Sequence, residues 1–326
     1  MDFLIDMTQK ALHGQEITRK EALMLAQEDV QSLCVAADQI RKERCGDTFD
    51  LCSIINGKSG KCPEDCKYCA QSAHYKTDVE FYELLCKEEI VAAARKSYDA
   101  GVGRFSIVTS GKKLTHDEIK ALCGIYRAIK RACPQLRLCA SHGLLDEQAF
   151  VMLKEAGVER YHNNLETSRE FFKNICTTHS YDDKLKTIRR AQNAELGICS
   201  GGIIGMGEEM AERIDMALEL RRLGVRSVPL NILTPLEGTP FANAPALPQQ
   251  EIMKTAAVFR FLLPDTAIRL AGGRARMENA GRAMLGAGVN AAITGDMLTT
   301  AGFSYESDME MITSCGFTVG FMKNKC

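Results

Sequence analysis

The chain has 326 residues, with 41 lysines and arginines against 42 aspartates and glutamates, a formal net charge of −1. That balance gives no electrostatic case for nucleic acid as the main partner. No apolar run approaches the roughly 20 residues of a membrane-spanning helix, and the opening "MDFLIDMTQKALHGQ" lacks a basic start followed by an apolar stretch, so a cytoplasmic location is expected.

In chain order, residues 1–45 read as two helices packed ahead of the main domain. A β-rich run at 49–55, "FDLCSII", is followed by a helical pattern at 88–101 and a strand at 104–110. Helix 115–132, strand 136–141, helix 146–157 and strand 160–165 come next, then helix 181–195 and strand 197–203. The series closes with helix 207–223, strand 226–233, helix 248–262, strand 267–272, helix 275–287 and strand 289–294. Thr115 ahead of Glu118, and Asp146, are suited to cap helix starts, and Gly101, Gly157 and Gly197 follow helix ends.

Eight strands alternating with helices imply parallel pairing through right-handed crossovers, and eight strands close into a TIM-type (β/α)8 barrel. An open doubly wound sheet permits the same alternation, but no glycine-rich phosphate loop follows the first strand. The expected organisation is a helical extension at 1–45, a barrel at 46–305, and a closing helix and polar tail at 306–326, ending in Cys326. The tail is expected to be mobile.

Fourteen cysteines is a high count for such a chain. Most are expected to be inert core thiols, Cys86, Cys123 and Cys133 among them. The stretch "CPEDCKYCAQS" differs, because it sets Cys62, Cys66 and Cys69 within eight residues. Thiolates ligate structural zinc and iron–sulfur clusters. A zinc ribbon needs a second pair, and a bacterial ferredoxin needs a fourth cysteine followed by proline; this stretch has neither. Three thiolates hold three irons of a cubane and leave the fourth free. The stretch also follows the first strand, at the barrel mouth where such enzymes keep their chemistry.

CxxxCxxC in this position, with Tyr68 before the third cysteine, resembles the signature of the radical S-adenosylmethionine (SAM) superfamily. The resemblance implies a 4Fe-4S cluster on Cys62, Cys66 and Cys69, its open iron chelated by SAM. The longer string "CPEDCKYCAQSAHY", with "YHNNLETS" (161–168), "CSGGIIGMGE" (199–208), "VPLNILTPLEGTP" (228–240) and "RLAGGR" (269–274), resembles the biotin synthase family. That family inserts sulfur into dethiobiotin with two SAM molecules, drawing the sulfur from an auxiliary iron–sulfur cluster. The likeness implies that Tyr68 presents its backbone to the adenine and that the segment containing Gly201 and Gly202 lines the SAM cleft. It implies that Asn164 and Glu166 reach the SAM ribose and the substrate, and that Asn231 and His162 contact dethiobiotin. A flavodoxin- or ferredoxin-type reductant and a homodimer follow from the same resemblance.

For the auxiliary cluster, Cys139, Cys199 and Arg269 match three family ligands, whereas the fourth position is Ser106. Serine is harder and far less acidic than cysteine. Either another cysteine substitutes, Cys52 first and Cys176 second, and holds a 2Fe-2S or a larger four-iron cluster, or the auxiliary cluster is absent. The first reading is favoured, because a buried Arg269 is costly without an anionic partner. Arg104, two residues before Ser106, supports the same site or lies solvated at the surface. Two rivals remain: another radical SAM enzyme, such as a methylornithine synthase or a hydrogenase-cofactor maturase, and a non-catalytic metal-binding or electron-transfer module.

Overall fold

The computed structural model describes residues 2–298 and 302–321, so Cys326 lies outside the described residues. Three helices, where two were expected, precede the barrel: α1 (Asp2–Leu12), α2 (Arg19–Leu25) and α3 (Val30–Cys45). Two cap signals mark the starts of α2 and α3. Thr18 accepts a hydrogen bond from the Glu21 amide in a capping box, and Asp29 accepts one from Ser32.

The barrel strands are β1 (Thr48–Lys58), β2 (Arg104–Thr109), β3 (Arg137–Ser141) and β4 (Val158–His162), then β5 (Gly197–Cys199) continued by β6 (Gly202–Ile204). They end with β7 (Ser227–Ile232), β8 (Ala267–Leu270) and β9 (Ala291–Thr294). All neighbours are parallel, and β9 pairs with β1, which closes eight strand positions into a (β/α)8 barrel. The outer helices are α4 (Lys87–Asp99), α5 (His116–Ala132), α6 (Glu147–Glu155), the short α7 (Arg169–Phe172), α8 (Tyr181–Asn193), α9 (Met210–Arg222) and α10 (Gln249–Leu262). Helix α3 packs on α10, so the N-terminal extension is part of the barrel's outer layer. No helix among the described residues is long and apolar enough to cross a membrane.

Three expectations are corrected. The stretch 275–287 forms 3-10 turns, Arg274–Arg276 and Glu278–Ala287, because Asn279, Ala280 and Gly281 take φ of 48°, 54° and 78°, which no right-handed helix continues. The C-terminal helix α11 (Tyr305–Ser314) is followed by an unexpected short strand β10 (Thr318–Val319) that pairs with the start of β1, and the rest of the expected tail, 322–326, lies outside the described residues. Cys86 is exposed at the cap of α4, whereas Cys123 and Cys133 are buried as expected.

His142, after β3, is fully buried, with Nδ1 3.0 Å from Thr109 Oγ1 and Nε2 2.9 Å from the Tyr126 hydroxyl. Both ring nitrogens are used to pin the strand end, and burial pushes the imidazole down to about 3.

Candidate active site

Parallel register, together with the alternation of side chains along each strand, decides which residues face the barrel axis. Cys52 is level with Arg104, Ser106 with Cys139, Cys139 with Arg160, and His162 with Cys199. Asp50 and Arg269 both stand level with Ala291. The ring of inward residues at the bottom is therefore Cys52, Arg104, Ser106, Cys139, Arg160, Cys199 and Arg269, and all of them line one cavity of about 420 Å³. Arg104 is thus buried, not solvated.

The electrostatics of this floor are lopsided. Asp50 Oδ1 lies 2.9 Å from Arg269 Nη2 and 4.0 Å from Arg104 Nε, and its Oδ2 lies 3.9 Å from Arg160 Nη1. Burial opposes ionisation of Asp50, but the three guanidiniums outweigh it and hold the carboxyl down at about 2. One carboxylate thus faces three buried or largely buried cations. Arg160 Nη1 and Arg104 Nε make no hydrogen bond. Arg269 Nη1 donates to the carbonyls of Asp50 (2.9 Å) and Ala292 (2.8 Å) and to Cys52 Sγ (3.2 Å), while Arg104 Nη1 is 3.7 Å from Cys139 Sγ. Burial pushes the Cys52 thiol up to about 12 against the pull of Arg269, and burial likewise raises Cys139. Neutral thiols leave the cations uncompensated. Metal-bound thiolates would balance them, so the floor fits a thiolate-held, anionic cluster.

At the mouth, the loop after β1 carries the three-cysteine motif. Its shape is set by backbone bonds: Cys62 N to Gln71 O (2.9 Å), Cys69 N to Cys66 O (3.0 Å) and Ala73 N to Cys62 O (2.8 Å). Cys62, Tyr68 and Cys69 line the cavity. Cys66 turns aside toward Cys176, with the sulfurs 3.8 Å apart, and its thiol donates to Cys176. That shared proton pulls the Cys176 thiol down and pushes Cys66 up. Cys176, the second choice for the inner set, thus lies against the motif loop and not at the barrel floor: it follows the short α7 after β4, above the strand ends.

Asn164, Glu166, His162 and Asn231 all face the same cavity. Asn164 Oδ1 accepts from Gly201 N at 3.0 Å, and its Nδ2 is 3.4 Å from Glu166 Oε2. Glu166 takes φ of 73°, a left-handed backbone that aims its carboxylate from the end of β4. Asn231 bridges two backbones: Nδ2 donates to Gly202 O (3.0 Å) and Oδ1 accepts from Gly272 N (2.9 Å). Burial holds His162 down at about 4, hence neutral. Gly201 and Gly202 do not line the cavity. A Cβ on Gly201 would stand 2.0 Å from Pro229 O, and one on Gly202 2.3 Å from Glu166 O, so close backbone packing requires them.

Sequence reasoning missed two members of the floor, Asp50 and Arg160. Each sits two residues before a residue already singled out, Cys52 and His162, and so shares that residue's face by strand alternation.

The Radical SAM superfamily profile matches residues 58–221, and the Biotin and Thiamin Synthesis associated domain profile matches residues 229–318. The chain is 54% identical over 319 residues to a biotin synthase of Clostridium botulinum (strain Alaska E43 / Type E3), covering 98% of this chain and 100% of that one. It is 50% identical to a biotin synthase of Akkermansia muciniphila, covering 98% and 99%. Among solved structures, a methylornithine synthase superposes with a TM-score of 0.85 at 18% identity, covering 97% of each chain. A maturase of the FeFe-hydrogenase superposes with a TM-score of 0.84 at 16% identity, covering 99% of this chain and 76% of that one. At such identities these two structures speak for the fold alone.

Proposed function

The chain belongs to the biotin synthase family of radical SAM enzymes, and on that premise we propose that it converts dethiobiotin to biotin, with sulfur drawn from an auxiliary iron–sulfur cluster on the barrel floor. The observation that carries this reading is the ring of three inward cysteines, Cys52, Cys139 and Cys199, set among Arg104, Arg160 and Arg269 with only one carboxylate. Bound in this barrel, the 4Fe-4S cluster supplies the electron that cleaves SAM, SAM supplies the hydrogen-abstracting radical, and the auxiliary cluster supplies the sulfur.

The residues divide that labour by height. Cys62, Cys66 and Cys69 would hold the upper cluster. Cys52, Cys139, Cys199 and Arg269 would hold the lower one, as a 2Fe-2S or a larger four-iron cluster. Ser106, level with Cys139, is a neighbour of that set and not an equivalent of a thiolate. Cys52 takes over from it because β1 and β2 are adjacent and both residues face inward.

Between the two levels, Asn164 fixes the Gly201 amide and so the turn that joins β5 to β6. Glu166 presents a carboxylate suited to ribose hydroxyls. Neutral His162 and Asn231 present hydrogen-bonding edges suited to the ureido ring. The closed lower end keeps water from a carbon radical, which is what a barrel offers over an open sheet. A homodimer, a flavodoxin- or ferredoxin-type reductant and a cytoplasmic location complete the proposal. The test is anaerobic incubation of reconstituted protein with SAM, reductant and dethiobiotin, read by mass spectrometry for biotin. SAM cleavage without biotin would favour another chemistry on the same barrel.

A further inference from the structure

Cys176 belongs to a constellation that the sulfur-insertion reading leaves unused. The segment Cys176–Thr177–Thr178–His179 brings a thiol and an imidazole beside Cys66. The sulfurs of Cys66 and Cys176 are 3.8 Å apart. Two thiolates bound at about 2.3 Å on one tetrahedral ion stand about 3.8 Å from each other, so these sulfurs already span one edge of such a site. His179 Nδ1 and Nε2 lie 3.2 Å and 3.9 Å from Cys176 Sγ. The ligand atoms of the three residues all lie within 4.8 Å of one another, the one such group among the described residues.

The surroundings are those of a metal-binding histidine. The carboxylate of Glu64 is positioned to accept a hydrogen bond from His179 Nδ1 in a short contact, and in that tautomer the Nε2 lone pair is left for a cation. Glu64 is itself held by Thr178 Oγ1 at 2.9 Å. Asp65 locks the segment by accepting from the amides of Thr177 (2.8 Å) and Thr178 (3.2 Å). His179 and Glu64 are nearly fully buried, their side chains 5% and 8% exposed.

We propose that, in the chain without its 4Fe-4S cluster, Cys66, Cys176 and His179 hold a single soft divalent cation, zinc or ferrous iron, with Glu64 orienting the histidine. Two thiolates and a neutral imidazole neutralise a divalent charge and suit these ions over magnesium or calcium. This ligand set differs from the three-cysteine cluster set: Cys62 and Cys69 line the cavity, whereas the Cys66 sulfur lies against that of Cys176. Cys66 is common to both. The cation and the cluster therefore exclude each other, and a bound ion keeps the motif loop incomplete until it leaves. The inference stands on the cluster-free chain and does not depend on which substrate the loaded enzyme uses.

The test uses full-length protein stripped of iron anaerobically, titrated with cobalt(II) as a spectroscopic stand-in for zinc. The first equivalent is expected to give tetrahedral d–d bands with thiolate charge transfer. That spectrum should persist in C62S/C69S and in C139A/C199A, and be lost in C66S and C176S. Glu64→Gln should weaken binding about tenfold or more, the usual effect of removing such a partner. Loss of the spectrum in C62S/C69S, or its retention in C176S, would overturn the proposal. Should C176S fail to fold, C62S/C69S decides the matter alone, since neither of its residues belongs to the site.

Discussion

Arg269 Nη1 stands 3.2 Å from the sulfur of Cys52, and the other terminal nitrogen of the same guanidinium stands 2.9 Å from Asp50 Oδ1. Cys52 and Asp50, two residues before it on β1, are thereby joined through one cation. An arginine so placed would compensate a metal-bound thiolate at Cys52, although burial leaves the free thiol neutral, and it is itself anchored by two backbone carbonyls, of Asp50 and Ala292. On the proposed function, Cys52 is the cysteine that would make good the serine at 106.

The two cysteine sets should separate cleanly by function. Alanine at Cys62 or Cys69 is expected to abolish both SAM cleavage and biotin formation. Alanine at Cys52, Cys139 or Cys199 should leave SAM cleavage measurable while biotin formation is lost, and should lower iron per chain. Parallel assays of 5′-deoxyadenosine and biotin check this. Wild-type biotin yield from Cys52→Ala would remove Cys52 from the set.

Asp50 is expected to matter most when the floor holds no cluster. Asp50→Asn leaves Arg104, Arg160 and Arg269 facing one another without a carboxylate, and breaking a buried charge network of this kind costs about 3–5 kcal/mol. Urea unfolding of the cluster-free variant should show a loss of that order. In cluster-loaded protein the loss should shrink, because thiolates then share the compensation. Equal losses in both forms would contradict the charge argument.

Asn231 is tied at both ends of its amide, to Gly202 O and Gly272 N. Asn231→Ala removes two backbone clamps, each worth about 1 kcal/mol, so a stability loss of about 2 kcal/mol is expected in a thermal or urea melt. Product formation should fall as well, since those clamps set the turn beneath Glu166. An unchanged melt with a raised KM for dethiobiotin would instead mark Asn231 as a substrate contact alone.

His142 gives the cluster-free chain an acid-sensitive stability. Its ordinary value is 6.5, and burial lowers it to about 3 in the folded chain. The unfolded chain therefore binds a proton that the folded chain refuses throughout that window. Stability is fully present above pH 6.5 and falls as the pH drops toward 3, by on the order of 4–5 kcal/mol across the window. His142→Gln should flatten that part of the curve, as read from urea midpoints against pH. A variant with the wild-type slope would place the proton uptake elsewhere.

Much of this was legible in the sequence, and the reasons are local. Eight β-rich runs alternating with amphipathic stretches are enough to give the barrel, because parallel strands joined by helices have few other closed solutions. Cys62, Cys66 and Cys69 were found by spacing alone. The inner set was harder: Cys139 and Cys199 came from the family resemblance, while Asp50 and Arg160 became visible only when register fixed which parity of each strand faces inward. The partnership of Cys66 with Cys176 and His179 joins residues about 110 apart in the chain, and no periodicity encodes it. The 3-10 turns at Glu278–Ala287 escaped for a different reason, since their apolar spacing is helical and only the positive φ angles break it.

The most direct test of the central claim is a single-turnover reaction with protein whose clusters have been rebuilt with heavy-isotope sulfide. Incubation with SAM, reductant and dethiobiotin, in buffer free of labelled sulfide, should yield biotin carrying the heavy sulfur, and the yield should vanish in Cys139→Ala and Cys199→Ala. Biotin with light sulfur, or SAM cleavage with no biotin at all, would contradict a sulfur donor on the barrel floor.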